Sequence, residues 1–267
     1  MTAPLEGRSA LVTGVSRRAG IGFAIASRLA AAGASVFAHH HVPHDAERPW
    51  GADQIEEVLD ELRAMTAVAD AGADLAAPGA PEALVAAAVE AFGDLDILVC
   101  NHASSGSDGS LGELDAEMLD AHWAVNARSS LLLVQAFAQA HDDRRPGGRV
   151  VLMTSGQQLG PMRGEIAYAA SKGALAAITA TLADELADRG ITVNCVNPGP
   201  VDTGWATPEL TAAVAERLPA GRWGEPDDAA RLIAWLVSDD GRWITGQVLN
   251  SEGGFRRATP LRGGVYE

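Results

Sequence analysis

Short apolar runs alternate with longer Ala- and Leu-rich stretches along the whole 267-residue chain. The runs at Ala10–Thr13, Ser35–Ala38, Asp96–Cys100, Val150–Thr154, Thr192–Val196 and Gln247–Asn250 are apolar on nearly every position, which predicts strands buried on both faces. A weaker run near Val68–Ala73 lacks a clean pattern. Between the runs the spacing predicts helices at about Ile21–Ala32, Asp53–Arg63, Pro81–Phe92, Ala116–His141, Glu165–Arg189 and Asp227–Val237. Strands and helices in alternation predict an α/β chain with a single doubly wound parallel sheet and helices on both faces. No linker, repeat or low-complexity segment breaks the pattern, so residues 1–267 are expected to form one domain. Two stretches escape the pattern, His39–Ala52 and Gly199–Arg222. Long irregular segments in a compact domain tend to be functional loops, and the segment at about 199–222 is the expected substrate lid.

Composition narrows the partners. The chain is 47% hydrophobic and 21% charged, with a formal charge of −15, which argues against nucleic acid and against an anionic membrane. Cys100 and Cys195 both fall in apolar runs and read as small core residues, with no metal or disulfide spacing. No apolar run approaches transmembrane length and the N-terminus has no signal-peptide pattern, so a cytoplasmic location is expected.

The first strand runs into Thr13-Gly14-Val15-Ser16-Arg17-Arg18-Ala19-Gly20-Ile21-Gly22, and a helix follows. Glycines at a strand-to-helix turn let a pyrophosphate approach the helix N-terminus, where free N–H groups and the dipole favour anions. A dinucleotide is therefore expected on Gly14, Ser16, Arg17, Arg18, Gly20, Ile21 and Gly22. For NAD, a carboxylate near the end of the second strand takes the ribose hydroxyls. Here that strand ends in His39, His40 and His41, whereas Arg17 and Arg18 suit a 2′-phosphate. NADP(H) is accordingly favoured over NAD(H), with Asp45 or Glu47 as the acidic alternative. His39 is placed beside the adenosine. The cluster His39, His40, His41, His44 has no carboxylate or Cys pattern to complete a ligand set, so no metal is expected.

Lys172 is the only lysine among 20 Lys and Arg residues, and it follows Tyr168, one of two tyrosines, by four positions. A lone Lys in an Arg-rich chain points to a task for a compact ammonium. On one helical face the ammonium is expected to lower the phenol pKa and make Tyr168 a general acid/base. Ser155 ends a strand at the carboxyl edge of the sheet, where open α/β sheets bind ligands. Asn126 stands mid-helix, where Asn is mildly unfavourable, which marks it as a functional candidate.

With these pieces the chain resembles the classical short-chain dehydrogenase/reductase family, including its 3-oxoacyl-carrier-protein reductases, over nearly its whole length. The matching motifs are the TG…GIG turn, Asp74-Leu75, Cys100-Asn101-His102-Ala103, Asn126, Ser155, Tyr168, Lys172, Asn197-Pro198-Gly199-Pro200-Val201-Asp202-Thr203 and Ile244-Thr245-Gly246-Gln247. The resemblance implies a Rossmann fold, a homotetramer, and hydride transfer between NAD(P)H and a carbonyl or alcohol. It implies Tyr168 as acid/base, Ser155 polarising the substrate oxygen, Lys172 on the nicotinamide ribose and Asn126 in a proton relay through water. It also implies Asp74 and Leu75 at adenine, Asn101 and Ala103 on the ribose side, and Pro198, Gly199, Val201 and Thr203 at the nicotinamide. Two departures stand out. Five residues separate Gly14 from Gly20 where the classical pattern has three, which resembles the divergent branch of enoyl reductases. That branch, however, places its Lys seven residues after the Tyr. In the second departure, His102 and Ala103 replace smaller residues, and their bulk is expected to alter the ribose fit.

The substrate is expected between the Gly156–Gly164 loop and the Gly199–Arg222 segment, with Leu159, Met162, Trp205 and Trp123 as apolar walls and Gln157 as a polar handle. A small-molecule ketone or secondary alcohol fits such walls. An acyl carrier protein is itself acidic and needs a local basic patch, for which Arg128 and Arg163 are the candidates. Two alternatives remain open: a C=C (enoyl) reductase and a catalytically silent dinucleotide-binding protein.

Overall fold

The apolar runs all join one sheet. The computed structural model describes residues 3–145 and 147–257; residues 1–2 and 258–267 of the expected 1–267 unit lie outside the described residues. The elements follow as β1 (Ser9–Thr13), α1 (Ile21–Ala31), β2 (Ser35–His40), α2 (Val42–Ala46), α3 (Ile55–Arg63), β3 (Val68–Gly72), α4 (Ala80–Phe92), β4 (Ile97–Cys100), α5 (Ala116–His122), α6 (Ser129–Ala140), β5 (Arg149–Met153), α7 (Ile166–Ala187), β6 (Thr192–Asn197), α8 (Pro208–Ala215), α9 (Pro226–Val237) and β7 (Val248–Asn250). The seven strands are parallel in the order β3-β2-β1-β4-β5-β6-β7.

Alternate residues of a strand face opposite sides of a sheet, so a sheet covered twice needs apolar residues in succession. In β1, Ala10 and Val12 pack into the layer with α1 and α9, while Leu11 packs into the layer with α4, α6 and α7. In β4, Ile97 and Val99 take the first side, and Leu98 and Cys100 the second. The run at Val68–Gly72 lacks that pattern because β3 is an edge strand with no fully buried residue. The order reverses between β1 and β4, which opens a crevice at the carboxyl ends of the central strands.

Three expectations need correction. The single helix expected over Ala116–His141 is two helices joined by a wider π turn at Trp123–Arg128. The hydroxyl of Ser130 donates to the Asn126 carbonyl at 2.8 Å, and that of Ser129 donates to the Val125 carbonyl. Side chains that compete for backbone carbonyls bend or loosen a helix. The irregular stretches also contain helices: α2 within His39–Ala52, and α8 within Gly199–Arg222, where Thr207 caps the helix by accepting from the Leu210 N–H. Finally, α7 is by length and composition alone long and apolar enough to cross a membrane, contrary to the reading of the runs; here it packs against β5 and β6.

Candidate active site

The crevice is a cavity of about 1260 Å³ lined from both halves of the sheet. At one end, β1 turns at Gly14 with φ +76°, and a Cβ there would meet the His102 Cα at 3.1 Å. At Gly22, a Cβ would stand 2.1 Å from the Gly14 carbonyl oxygen, so α1 approaches β1 as only glycine permits. The N-cap of α1, Gly20, has no side-chain cap, which leaves the helix N–H groups free for an anion. Ser16, Arg17, Ile21, Asp74, Leu75, Asn101, Ala103, Pro198, Gly199, Val201 and Thr203 line the same cavity.

The two arginines of the turn part company. The Arg17 guanidinium donates to the Thr203 carbonyl at 2.8 Å and lies 5.7 Å from the centre of the Trp50 ring. Arg18 points away from the cavity: it pairs with Glu57 at 2.7 Å and Glu61 at 2.5 Å, and its N–H donates to Asp53. The expectation that Arg18 meets the cofactor is therefore corrected, because the carboxylates along α3 capture it. Arg48 takes up a place that sequence reasoning missed. It lines the cavity, has no carboxylate partner among the described residues, and its Nε is buried without a hydrogen-bond partner. Asp45, the acidic alternative, lines the cavity but accepts the Trp50 indole N–H at 3.1 Å.

Two of the histidines here, His39 and His102, are neutral struts. Burial pushes the His39 imidazole down to about 4, and its Nδ1 accepts from the Gly14 N–H at 3.3 Å while Nε2 faces the Ala73 carbonyl at 2.9 Å. His102 also lines the cavity. Its ring points inward, with Nδ1 2.7 Å from the Thr13 hydroxyl and Nε2 2.7 Å from that of Ser129, and burial holds it well below its ordinary value.

At the other end, Ser155 follows β5 and Tyr168 is the third residue of α7. Both line the cavity. Burial pushes the Tyr168 phenol up to about 12; the Glu165 carboxylate adds to the rise and the Ser155 hydroxyl opposes it. The i,i+4 spacing does bring Lys172 under Tyr168, with Nζ 5.9 Å from the ring centre. Yet the ammonium donates to the Met153 carbonyl at 3.0 Å, and burial pushes it down to about 8. The expected lowering of the phenol by Lys172 is thus absent from this arrangement. Asn126 is fully buried. Its Oδ1 accepts from the Ser104 N–H at 2.7 Å, and its Nδ2 donates to the Ser104 carbonyl at 3.1 Å and the Ser171 hydroxyl at 2.9 Å.

On the substrate side, Met162 and Trp205 line the cavity, whereas Leu159, Trp123 and Gln157 do not. Gln157 folds back and donates to the Thr154 hydroxyl at 3.0 Å, so it is no handle. Trp205 meets Trp223 edge to face at 5.7 Å, and Trp223 anchors α8 by donating to the Thr211 carbonyl at 2.9 Å. The segment is pinched at its base, where Gly224 donates to Pro200 and Asp202 donates to Gly224, each at 2.9 Å. Of the basic candidates, Arg163 lines the cavity, while Arg128 donates to the Ala76 carbonyl. Missed altogether were Asp108, Trp223 and Phe255, and the ion pair of Glu252 with Arg257, all of which line the cavity. Phe255 and Arg257 sit beyond the last strand, where no periodic pattern marks them.

Four likenesses accompany this geometry, one to a family and three to known proteins. The model of a family described as Enoyl-(Acyl carrier protein) reductase matches residues 14–256. An uncharacterized oxidoreductase of Bacillus subtilis is 45% identical over 252 residues, spanning 93% of this chain and 96% of that protein. A short-chain dehydrogenase/reductase from Serratia marcescens superposes with a TM-score of 0.84 at 37% identity, covering 94% and 99% of the two chains. A short chain dehydrogenase from Burkholderia cenocepacia, solved in complex with NADP, superposes at 0.83 with 38% identity, covering 94% and 98%.

Proposed function

Since the chain belongs to the classical short-chain dehydrogenase/reductase family of oxidoreductases, we propose that it transfers a hydride between NADP(H) and a small carbonyl compound or secondary alcohol, with Tyr168 as the general acid/base. The observation that carries this reading is the meeting of Ser155 and Tyr168 in one cavity with the glycine turn, Arg17 and Arg48. A bound nicotinamide supplies the hydride in reduction and takes it in oxidation. The residues fit such a group: Gly14 and Gly22 admit close backbone approach, and α1 presents uncapped N–H groups. Arg17 and Arg48 are the 2′-phosphate ligands in this reading, which favours NADP(H) over NAD(H); the NADP in the Burkholderia relative supports it.

In reduction the phenol of Tyr168 donates its proton to the developing alkoxide while the Ser155 hydroxyl polarises the same oxygen. A phenol held near 12 keeps that proton throughout the neutral range. Lys172 has three N–H donors, one of which goes to Met153, leaving others for the nicotinamide ribose. Asn126 contributes from within the π turn by holding Ser104 against Ser171. The irregular segment at about 199–222 acts as the substrate lid of a single domain, and the working form is a cytoplasmic homotetramer, whose mass light scattering of the purified protein tests.

Tyr168→Phe tests the central step. Turnover with NADPH is expected to fall by about 10³-fold while NADPH affinity, read by nicotinamide fluorescence, stays within about twofold. In the wild type, alcohol oxidation needs the phenolate and so should rise about tenfold per pH unit from pH 7 to 10, because the phenol sits near 12. Retained activity in the variant, or a flat oxidation profile, removes Tyr168 from the role. A second reading, C=C reduction, has the five-residue Gly14–Gly20 spacing and the description of the matching family behind it. Turnover of enones with no turnover of ketones or aldehydes would establish it instead.

A further inference from the structure

The first turn of α7 carries Tyr168, yet its own N-cap residue, Glu165, makes no side-chain cap. The cap comes from far away in sequence. Asp108, on the loop between β4 and α5, accepts from the Ala167 N–H at 3.0 Å through Oδ1 and from the Tyr168 N–H at 2.7 Å through Oδ2. Its Oδ1 also accepts from the Gly109 N–H at 2.8 Å. Three backbone donors on one carboxylate hold it well in the charged form, as its lowered pKa reflects.

The loop that delivers Asp108 is fixed at a second point. Asn126 grips Ser104 at both its N–H and its carbonyl, and the same amide reaches Ser171 on α7. The loop is therefore fastened to α7 at two points of the same turn, at Ala167 and Tyr168 through Asp108 and at Ser171 through Asn126. Between the two fasteners Ser107 adopts φ +53°, a conformation that a non-glycine residue takes at a cost and keeps only where its surroundings hold it. Behind the carboxylate stands the buried His122, edge-on to the Tyr168 ring at 6.4 Å, with Nε2 4.0 Å from Asp108 Oδ2. Ala103 to Asp108 line the cavity, so the same short loop walls the crevice and sets the helix that bears the phenol.

We propose that Asp108 is the positioning residue for Tyr168: its carboxylate caps α7 from the β4–α5 loop and thereby fixes the phenol beside Ser155. The inference rests on the reading of Tyr168 as acid/base. It goes beyond the sequence pattern, because nothing near Tyr168 in the chain supplies a cap.

The test pairs Asp108→Ala with Asp115→Ala, which removes the cap of neighbouring α5 (Asp115 accepts from the Met118 N–H at 2.8 Å) without touching α7. In Asp108→Ala, amide hydrogen exchange at Ala167 and Tyr168 should quicken at least about tenfold. For reduction of 4-nitrobenzaldehyde by NADPH, kcat should fall at least about tenfold, with NADPH affinity within about twofold. Asp115→Ala should leave exchange at these two amides and kcat near wild type. Asp108→Asn, which keeps one acceptor oxygen, should fall between, and it carries the same readouts should the Ala variant fail to fold. Unchanged exchange in Asp108→Ala, or faster exchange with unchanged kcat, overturns the proposal. If the wild type turns over no carbonyl, the proposed reaction fails, and a different readout decides the positioning role. In a Tyr266→Phe background, 3-fluorotyrosine reports Tyr168 alone by 19F NMR. A signal shifted or broadened by Asp108→Ala but not by Asp115→Ala supports the role, and an unmoved signal overturns it.

Discussion

At the cofactor end of the crevice, position and identity are dictated by backbone geometry: Gly14 turns left-handed against His102, and Gly22 leaves no room for a Cβ above the Gly14 carbonyl. At the end proposed for the substrate, Trp205 packs on Trp223 and the Arg257 guanidinium lies over the Phe255 ring, two side-chain pairs brought by two separate segments. A site of the first kind tolerates almost nothing, because the constraint is an atom of the main chain. A site of the second kind can exchange side chains at modest cost, since its neighbours can shift. The contrast fits an enzyme family in which the cofactor is shared and the substrate varies.

The largest effect expected from this contrast is at Gly22. A Cβ there stands 2.1 Å from a backbone oxygen, so Gly22→Ala must part α1 from β1. We expect a loss of about 1–3 kcal/mol, roughly 5 °C in Tm, and at least tenfold weaker NADPH binding by fluorescence titration. Wild-type affinity and stability in this variant would show that the glycine end is as forgiving as the other.

A smaller effect separates the two arginines of the same turn. Arg17 faces the cavity and Arg18 is held by Glu57 and Glu61. Loss of a charged phosphate contact is worth about 1.5–3 kcal/mol, so Arg17→Ala should weaken NADPH at least about tenfold and leave NADH nearly unchanged. Arg18→Ala should change either affinity less than about twofold, as expected of an exposed ion pair outside the cavity. Equal losses in both variants would restore the sequence expectation that the arginines act together.

These two residues also show where reading the chain succeeds and where it stops. Buried strands were legible because a sheet covered on both faces demands consecutive apolar residues, and the edge strand β3 was faint for the same reason. The single Lys took a place in the interior. Lys172 is buried and pushed down to about 8, an environment in which the larger, permanently charged Arg has no neutral form to adopt. Its proposed effect on Tyr168 was not legible, since spacing places two side chains on one face but cannot say that the Met153 carbonyl will take the ammonium. Arg18 and Gln157 also took partners that a reading of single residues does not reveal: Glu57 on α3 holds the first, and the Thr154 hydroxyl, three residues back, takes the second. Asp108 carried no local sign at all, because the helix it caps begins 58 positions later.

The smallest effect is expected at Trp205, which is 47% exposed and packs edge to face on Trp223. Because half of its surface already meets water, truncation forfeits only part of the apolar area that a buried aromatic contributes. Trp223 remains anchored through its indole N–H to Thr211, and the pinch between Pro200 and Gly224 is made by the backbone. Trp205→Ala should therefore keep the segment in place, leave NADPH affinity unchanged, and raise KM for an aromatic carbonyl about three- to tenfold with kcat nearly intact. The split between KM and kcat is the informative quantity. A fall in kcat of the size expected for Gly22→Ala would mean that the substrate end also sets the geometry of Tyr168 and Ser155. The two ends would then be one cooperative structure, not a rigid cofactor seat beside an adaptable wall.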